Sequence, residues 1–170
     1  MEGDARRQEL LNIISKAKRP ISGTALAKML DVSRQIIVQD IALLRAVNKN
    51  IISTNKGYVI YSDRQNSLKR SFRVCHSDKD MEDELNTIVD NGGNVLDVVV
   101  EHSIYGQIMV DLIIRSRRDV YEFGLKLMQS TDKPLNALTN GIHYHTVEAD
   151  SEEILDAVEN ALREKGYLAE

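Results

Sequence analysis

Two histidines two residues apart, His143 and His145 in the segment LTNGIHYHTVEA (138–149), have a spacing that can do chemistry. The 170-residue chain has only four histidines, and the others are His76 and His102. In a strand, residues i and i+2 point to the same face, about 6–7 Å apart, which is comfortable for two ligands of one metal ion. Glu84 offers a carboxylate one short helical stretch after His76. Three imidazoles and a carboxylate suit Zn, Ni, Fe or Co and argue against Mg or Ca. Any one histidine, His102 included, is more often a satisfied polar residue than a ligand; the 143/145 pair taken with His76 favours a ligand set. The single cysteine, Cys75, has the opposite strand parity to His76 and reads as a small core residue. One cysteine excludes an internal disulfide and suits a reducing cytoplasm.

The elements that must position these residues follow from the patterning. Strands are expected at 71–76, 94–102, 107–114 and 142–149, and helices at 79–90, 117–130 and 151–165. Ser77 and Asp80 give an S-x-x-D start to the first helix, and DNGGN ends it. The order β-α-β-β-α-β-α predicts an α+β open-faced sandwich, an antiparallel sheet with its helices on one face. If the last strand lies between the first and second, two strand ends flank one strand start and all four histidines meet at one edge. That is sheet order 1-4-2-3. The commoner order 4-1-3-2 keeps His76 near the pair but sends His102 to the far edge.

The first third of the chain is of another kind. Residues 1–66 carry 11 Lys and Arg against 6 Asp and Glu, net +5; residues 67–170 carry 11 against 20, net −9. Such asymmetry suggests a basic module for a polyanion beside an acidic one with a different task. The polar stretch SDRQNSLKRS (62–71) reads as the seam, giving domains 1–63 and 70–170. Before it lie a helix at 4–17, a short helix in SGTALAKML capped by Ser22 or Thr24, a turn at Asp31-Val32, and a longer helix capped by Ser33. The hairpin IISTNKGYVIY (51–61) follows. Short helix, turn, longer helix and hairpin make a winged helix-turn-helix. Ser33, Arg34, Gln35 and Gln39 open the second of those helices, where Arg34 can pair with guanine and Gln35 with adenine. Lys56 at the wing tip can meet phosphate, and Arg6, Arg7, Lys28 and Arg45 can add backbone contacts. Ile36 and Val38 are apolar near that open side, suited to thymine methyls or a neighbour. A single winged helix offers few base contacts, so a homodimer on an inverted repeat is expected. No apolar run approaches a membrane span, and the charged start MEGDARRQELLN lacks a signal core.

VSRQIIVQDIALLRAV, IISTNKGYVIY, VCH, VEHSIYGQI, SRRDVYEF and PLNALTNGIHYHT together resemble the niacin-responsive transcriptional repressors, which join a winged helix-turn-helix to a three-histidine (3H) domain. The resemblance covers nearly the whole chain, and the histidine segments are its specific part. It implies a cytoplasmic, non-enzymatic repressor of genes for NAD synthesis or niacin uptake. It further implies nicotinic acid as co-repressor, a homodimer on double-stranded DNA, and one divalent transition metal, Ni or Zn first. By motif position the metal ligands are His76, Glu84, His143 and His145, and His102 with Tyr105 falls to the effector pocket. Ser103 and Tyr144 stand where the pattern has Pro and an aliphatic residue. Three other readings stay open: a metal-sensing repressor with no organic effector, a metal-dependent enzyme fused to a DNA-binding domain, and a histidine phosphocarrier.

Overall fold

Leu10 and Ile14 recur one helical turn apart in α1 (Gly3–Lys16), and both are buried. They meet Leu26 of α2 (Gly23–Met29) and the stripe Ile37, Ile41 and Leu44 of α3 (Arg34–Val47). The computed structural model describes residues 2–47 and 50–170, in two compact units that part between Asp63 and Arg64. Serines cap α2 and α3. Ser22 Oγ accepts the Ala25 N–H, and Ser33 Oγ accepts the Ile36 N–H. The hairpin β1 (Ile51–Thr54) and β2 (Gly57–Ile60) turns at 54–57. Gly57 is fixed by backbone proximity: its φ is +128°, and a Cβ there would stand 2.2 Å from the Ile21 carbonyl oxygen.

Asp40 faces inward on α3 and is 2% exposed. It accepts bonds from Arg6 Nε at 2.6 Å, Arg6 Nη2 at 3.2 Å and Arg7 Nη1 at 3.4 Å. Arg6 and Arg7 therefore neutralise a buried carboxylate inside the unit rather than standing ready for phosphate.

The second unit holds β3 (Leu68–Cys75), α4 (Met81–Asp90), β4 (Asn94–His102), β5 (Gly106–Ile114), α5 (Arg117–Gln129), β6 (Ile142–Ala149) and α6 (Glu152–Glu164). The sheet runs β3-β6-β4-β5, antiparallel throughout, which is the order 1-4-2-3. Leu85 and Ile88 of α4, Val120 of α5, and Leu155, Val158 and Leu162 of α6 share one core with Phe72, Val74, Val95 and Val147. The α+β open-faced sandwich is thus the architecture.

Three details differ from the reading of the sequence. First, β3 begins at Leu68, inside the stretch read as a seam. Its polar residues are used there: Arg70 reaches Glu152, Asp156 and Glu159 of α6 at 2.6–2.9 Å. Second, α4 is preceded by a 3-10 turn, Asp78–Asp80, and Ser77 Oγ donates to Asp80 Oδ2 instead of capping a backbone N–H. Another such turn spans Leu135–Thr139. Third, the C-terminal residues run along β3, with Cys75 N–H donating to Tyr167 and Ala169 N–H to Arg73. Cys75 is half-buried there, not a core residue. Among the described residues no helix is long and apolar enough to cross a membrane.

Candidate metal centre

The centre grows out of the hydrophobic core. On β6 the core face reads His143, His145, Val147, Ala149, all buried. On α4 the inward stripe reads Glu84, Leu85, Ile88, so a carboxylate occupies a position that amphipathic spacing assigns to an apolar side chain. Because β6 is hydrogen-bonded to β3, with Val74 opposite His143, the residue that follows β3, His76, arrives beside the pair.

Glu84 is fully buried and stands at the middle of the three rings. Its Oε2 lies 2.8 Å from His76 Nε2 and 3.7 Å from His143 Nε2, and its Oε1 lies 3.3 Å from His145 Nε2. The ligand atoms of His76, Glu84 and His143 all fall within 4.8 Å of one another; His145 joins through the other carboxylate oxygen. The rings of His76 and His143, and of His143 and His145, stand edge to face at 4.8 Å.

The far nitrogens fix the tautomers. His76 Nδ1 lies 2.7 Å from the Ser77 carbonyl, His143 Nδ1 2.9 Å from that of Gly141, and His145 Nδ1 2.7 Å from that of Asp97. A carbonyl only accepts, so each Nδ1 carries a proton and each neutral ring turns an Nε2 lone pair toward Glu84. Lone pairs cannot face a carboxylate unopposed; either protons or a cation must stand between them. Burial disfavours charge on His76 and His145, yet Glu84 holds both above the ordinary imidazole value. Burial likewise pushes Glu84 up, and the three histidines overcome it and hold the carboxyl well below its usual range. Glu84 Oε1 has no hydrogen-bond partner among the described residues. Nδ1 on carbonyls with Nε2 convergent is the arrangement that supporting hydrogen bonds give to metal-ligating histidines. The donor set fits a borderline transition ion.

Backbone geometry makes the convergence possible. Gly141, with φ +89°, lets the His76 carbonyl approach so closely that a Cβ would sit 2.6 Å from its oxygen. A register irregularity in β4 between Val95 and Val99 turns the Asp97 carbonyl toward His145. Tyr167 covers His76 from outside, its ring 5.6 Å away and its hydroxyl donating to Asp83 Oδ2 at 2.6 Å.

Beside the centre lies a cavity of about 210 Å³. His76, His143 and His145 form one end, and Met81, Leu85, Val98, Leu112 and Phe123 are among its apolar walls. Lys133 and Asn136 also line it, two residues the reading of the sequence did not single out. Their signal was weak: an Asn in a short segment after Pro134, whose backbone shape the sequence does not fix.

The structure does not bring His102 or Tyr105 to this cavity. Val99 pairs with Tyr144, so His102 lies at the end of β4, past the start of β6. It closes its own turn there, Nδ1 accepting the Ile104 and Tyr105 N–H groups and the ring stacking on Tyr105 at 5.1 Å. In the other unit Arg34, Gln35 and Gln39 are exposed along the first turns of α3. Ser33 caps the helix with its Oγ lone pair, and half-buried Lys56 sits in the hairpin turn with its N–H on Thr54 Oγ1.

The 3H domain family matches residues 69–170, and an HTH domain family matches residues 6–59. The chain is 38% identical to the probable transcription repressor NiaR of Thermotoga maritima over 97% of its own length and 94% of the relative's. It is 39% identical to the transcription repressor NadR of Bacillus subtilis over 98% of its own length and 94% of the relative's.

Proposed function

The chain belongs to the family of transcription repressors that join a helix-turn-helix domain to a 3H domain, and on that premise we propose that it represses genes of NAD synthesis or niacin uptake with nicotinic acid as co-repressor. One observation carries the reading: three buried imidazoles of fixed tautomer converge with Glu84 at the end of an apolar cavity. His76, Glu84, His143 and His145 would hold one divalent transition ion, Ni or Zn. Bound there, the ion supplies positive potential and a Lewis-acidic position in a domain whose net charge is negative. The cavity has room for the effector, since an apolar cavity of about 150 Å³ already admits benzene. Nicotinate adds one carboxylate to a ring of that size.

On the DNA side, Arg34, Gln35 and Gln39 read bases from the start of α3, and Ser33 and Lys56 meet the backbone. A homodimer places two such helices on an inverted repeat. The test is operator binding by metal-loaded protein at fixed salt, with and without nicotinate. Tighter binding with nicotinate supports the reading. Binding that responds to metal but not to nicotinate makes the protein a metal sensor instead.

A further inference from the structure

We propose that Asn136 and Lys133 form the acid-recognising end of the cavity, Asn136 placing the ligand's carboxyl group and Lys133 selecting its charge. This rests on the reading of the cavity as the effector site. Asn136 is 4% exposed, yet neither its Oδ1 nor its Nδ2 has a partner among the described residues. Buried carboxamides are ordinarily hydrogen-bonded, and leaving both ends unmet is costly. The residue is not loosely held. It sits in the 3-10 turn Leu135–Thr139, and its carbonyl accepts the Gly141 N–H at 2.9 Å. That bond joins the turn to the glycine preceding Ile142 and His143, so the backbone that carries the carboxamide is anchored beside the histidine cluster. The apolar walls have nothing to offer it. A ligand with a planar polar group does.

Among the lining residues Lys133 is the one ionisable group besides the histidines. It is exposed, hence at the mouth, and the described residues give it no ion pair. The two residues divide the work. A carboxamide complements a carboxylate through its N–H and a primary amide through both its ends, so Asn136 alone does not tell nicotinate from nicotinamide. An ammonium does, because it favours only the anion.

The experiment titrates the metal-loaded full chain with nicotinate and with nicotinamide by calorimetry, metal content being measured for each sample. Asn136→Ala should weaken both ligands, the acid by about tenfold to a hundredfold. Asn136→Asp should weaken the acid more than the amide, by repulsion. Lys133→Gln, an exposed change that leaves the core intact, should weaken the acid by about three- to fivefold and leave the amide alone, given the modest worth of exposed pairs. If Asn136→Ala binds both ligands like the wild type, or Lys133→Gln keeps the wild-type preference for the acid, the assignment is overturned. If the wild type itself binds no nicotinate, the effector reading fails and this one with it, which separates the two failures.

Discussion

Glu84 stands where the core stripe of α4 calls for an apolar side chain, and that misfit is the residue-scale signature of the centre. A carboxylate with no exposure is tolerable only with charge or protons around it. Glu84→Gln keeps the shape and removes the charge; it should abolish stoichiometric metal binding while the chain still folds, as metal analysis and circular dichroism would report. Glu84→Ala goes further, leaving three imidazoles around a hole, and in urea titrations should lower unfolding free energy by about 3–5 kcal/mol relative to the metal-loaded wild type. A loss below about 1 kcal/mol, the size of a surface substitution, would mean the cluster is not the keystone described. The arginines separate in the same manner. Arg34→Ala should cost about 1–3 kcal/mol of operator binding and relax base preference. Arg6→Ala should lower the melting temperature, because it strips Asp40 of its closest partner, without relaxing base preference.

At the scale of elements, the turn before β6 links two of the proposed ligands. Gly141 adopts a left-handed φ and lies against the His76 carbonyl, while its own carbonyl holds His143. Gly141→Ala should cost about 1–3 kcal/mol from the forced backbone alone. It should also weaken metal affinity, read by competition with a chromophoric chelator; unchanged affinity would show that the turn only connects. The same elements show what a sequence discloses. β4 and β6 were legible to the residue, because alternation and flanking glycines bound them sharply. The order 1-4-2-3 is the one observed, but the premise that selected it, all four histidines meeting at one edge, holds for three of them: His102 lies past the start of β6 and does not line the cavity. The start of β3 was hidden because Lys69 and Arg70 look like linker residues until α6 supplies the acids that Arg70 meets. Asn136 was hidden for a deeper reason: its meaning is the lack of partners, and only geometry shows that.

At the scale of the whole molecule, a basic third and an acidic remainder suit the proposed division of labour between a polyanion and a small effector site. Belonging to a repressor family with an exposed reading helix argues for two copies on a two-fold symmetric operator. Sedimentation should find a dimer both free and on DNA; a monomer in both states would contradict this. The central claim, that the second unit is built around a metal held by three imidazoles and one carboxylate, is tested most directly by X-ray absorption on the full-length chain loaded with Ni or Zn, together with elemental analysis. The account predicts one ion per chain with three imidazole nitrogens and a carboxylate oxygen in its shell, and one nitrogen fewer in His145→Ala. An ion bound without imidazole, or a His145→Ala protein with an unchanged shell, would contradict it.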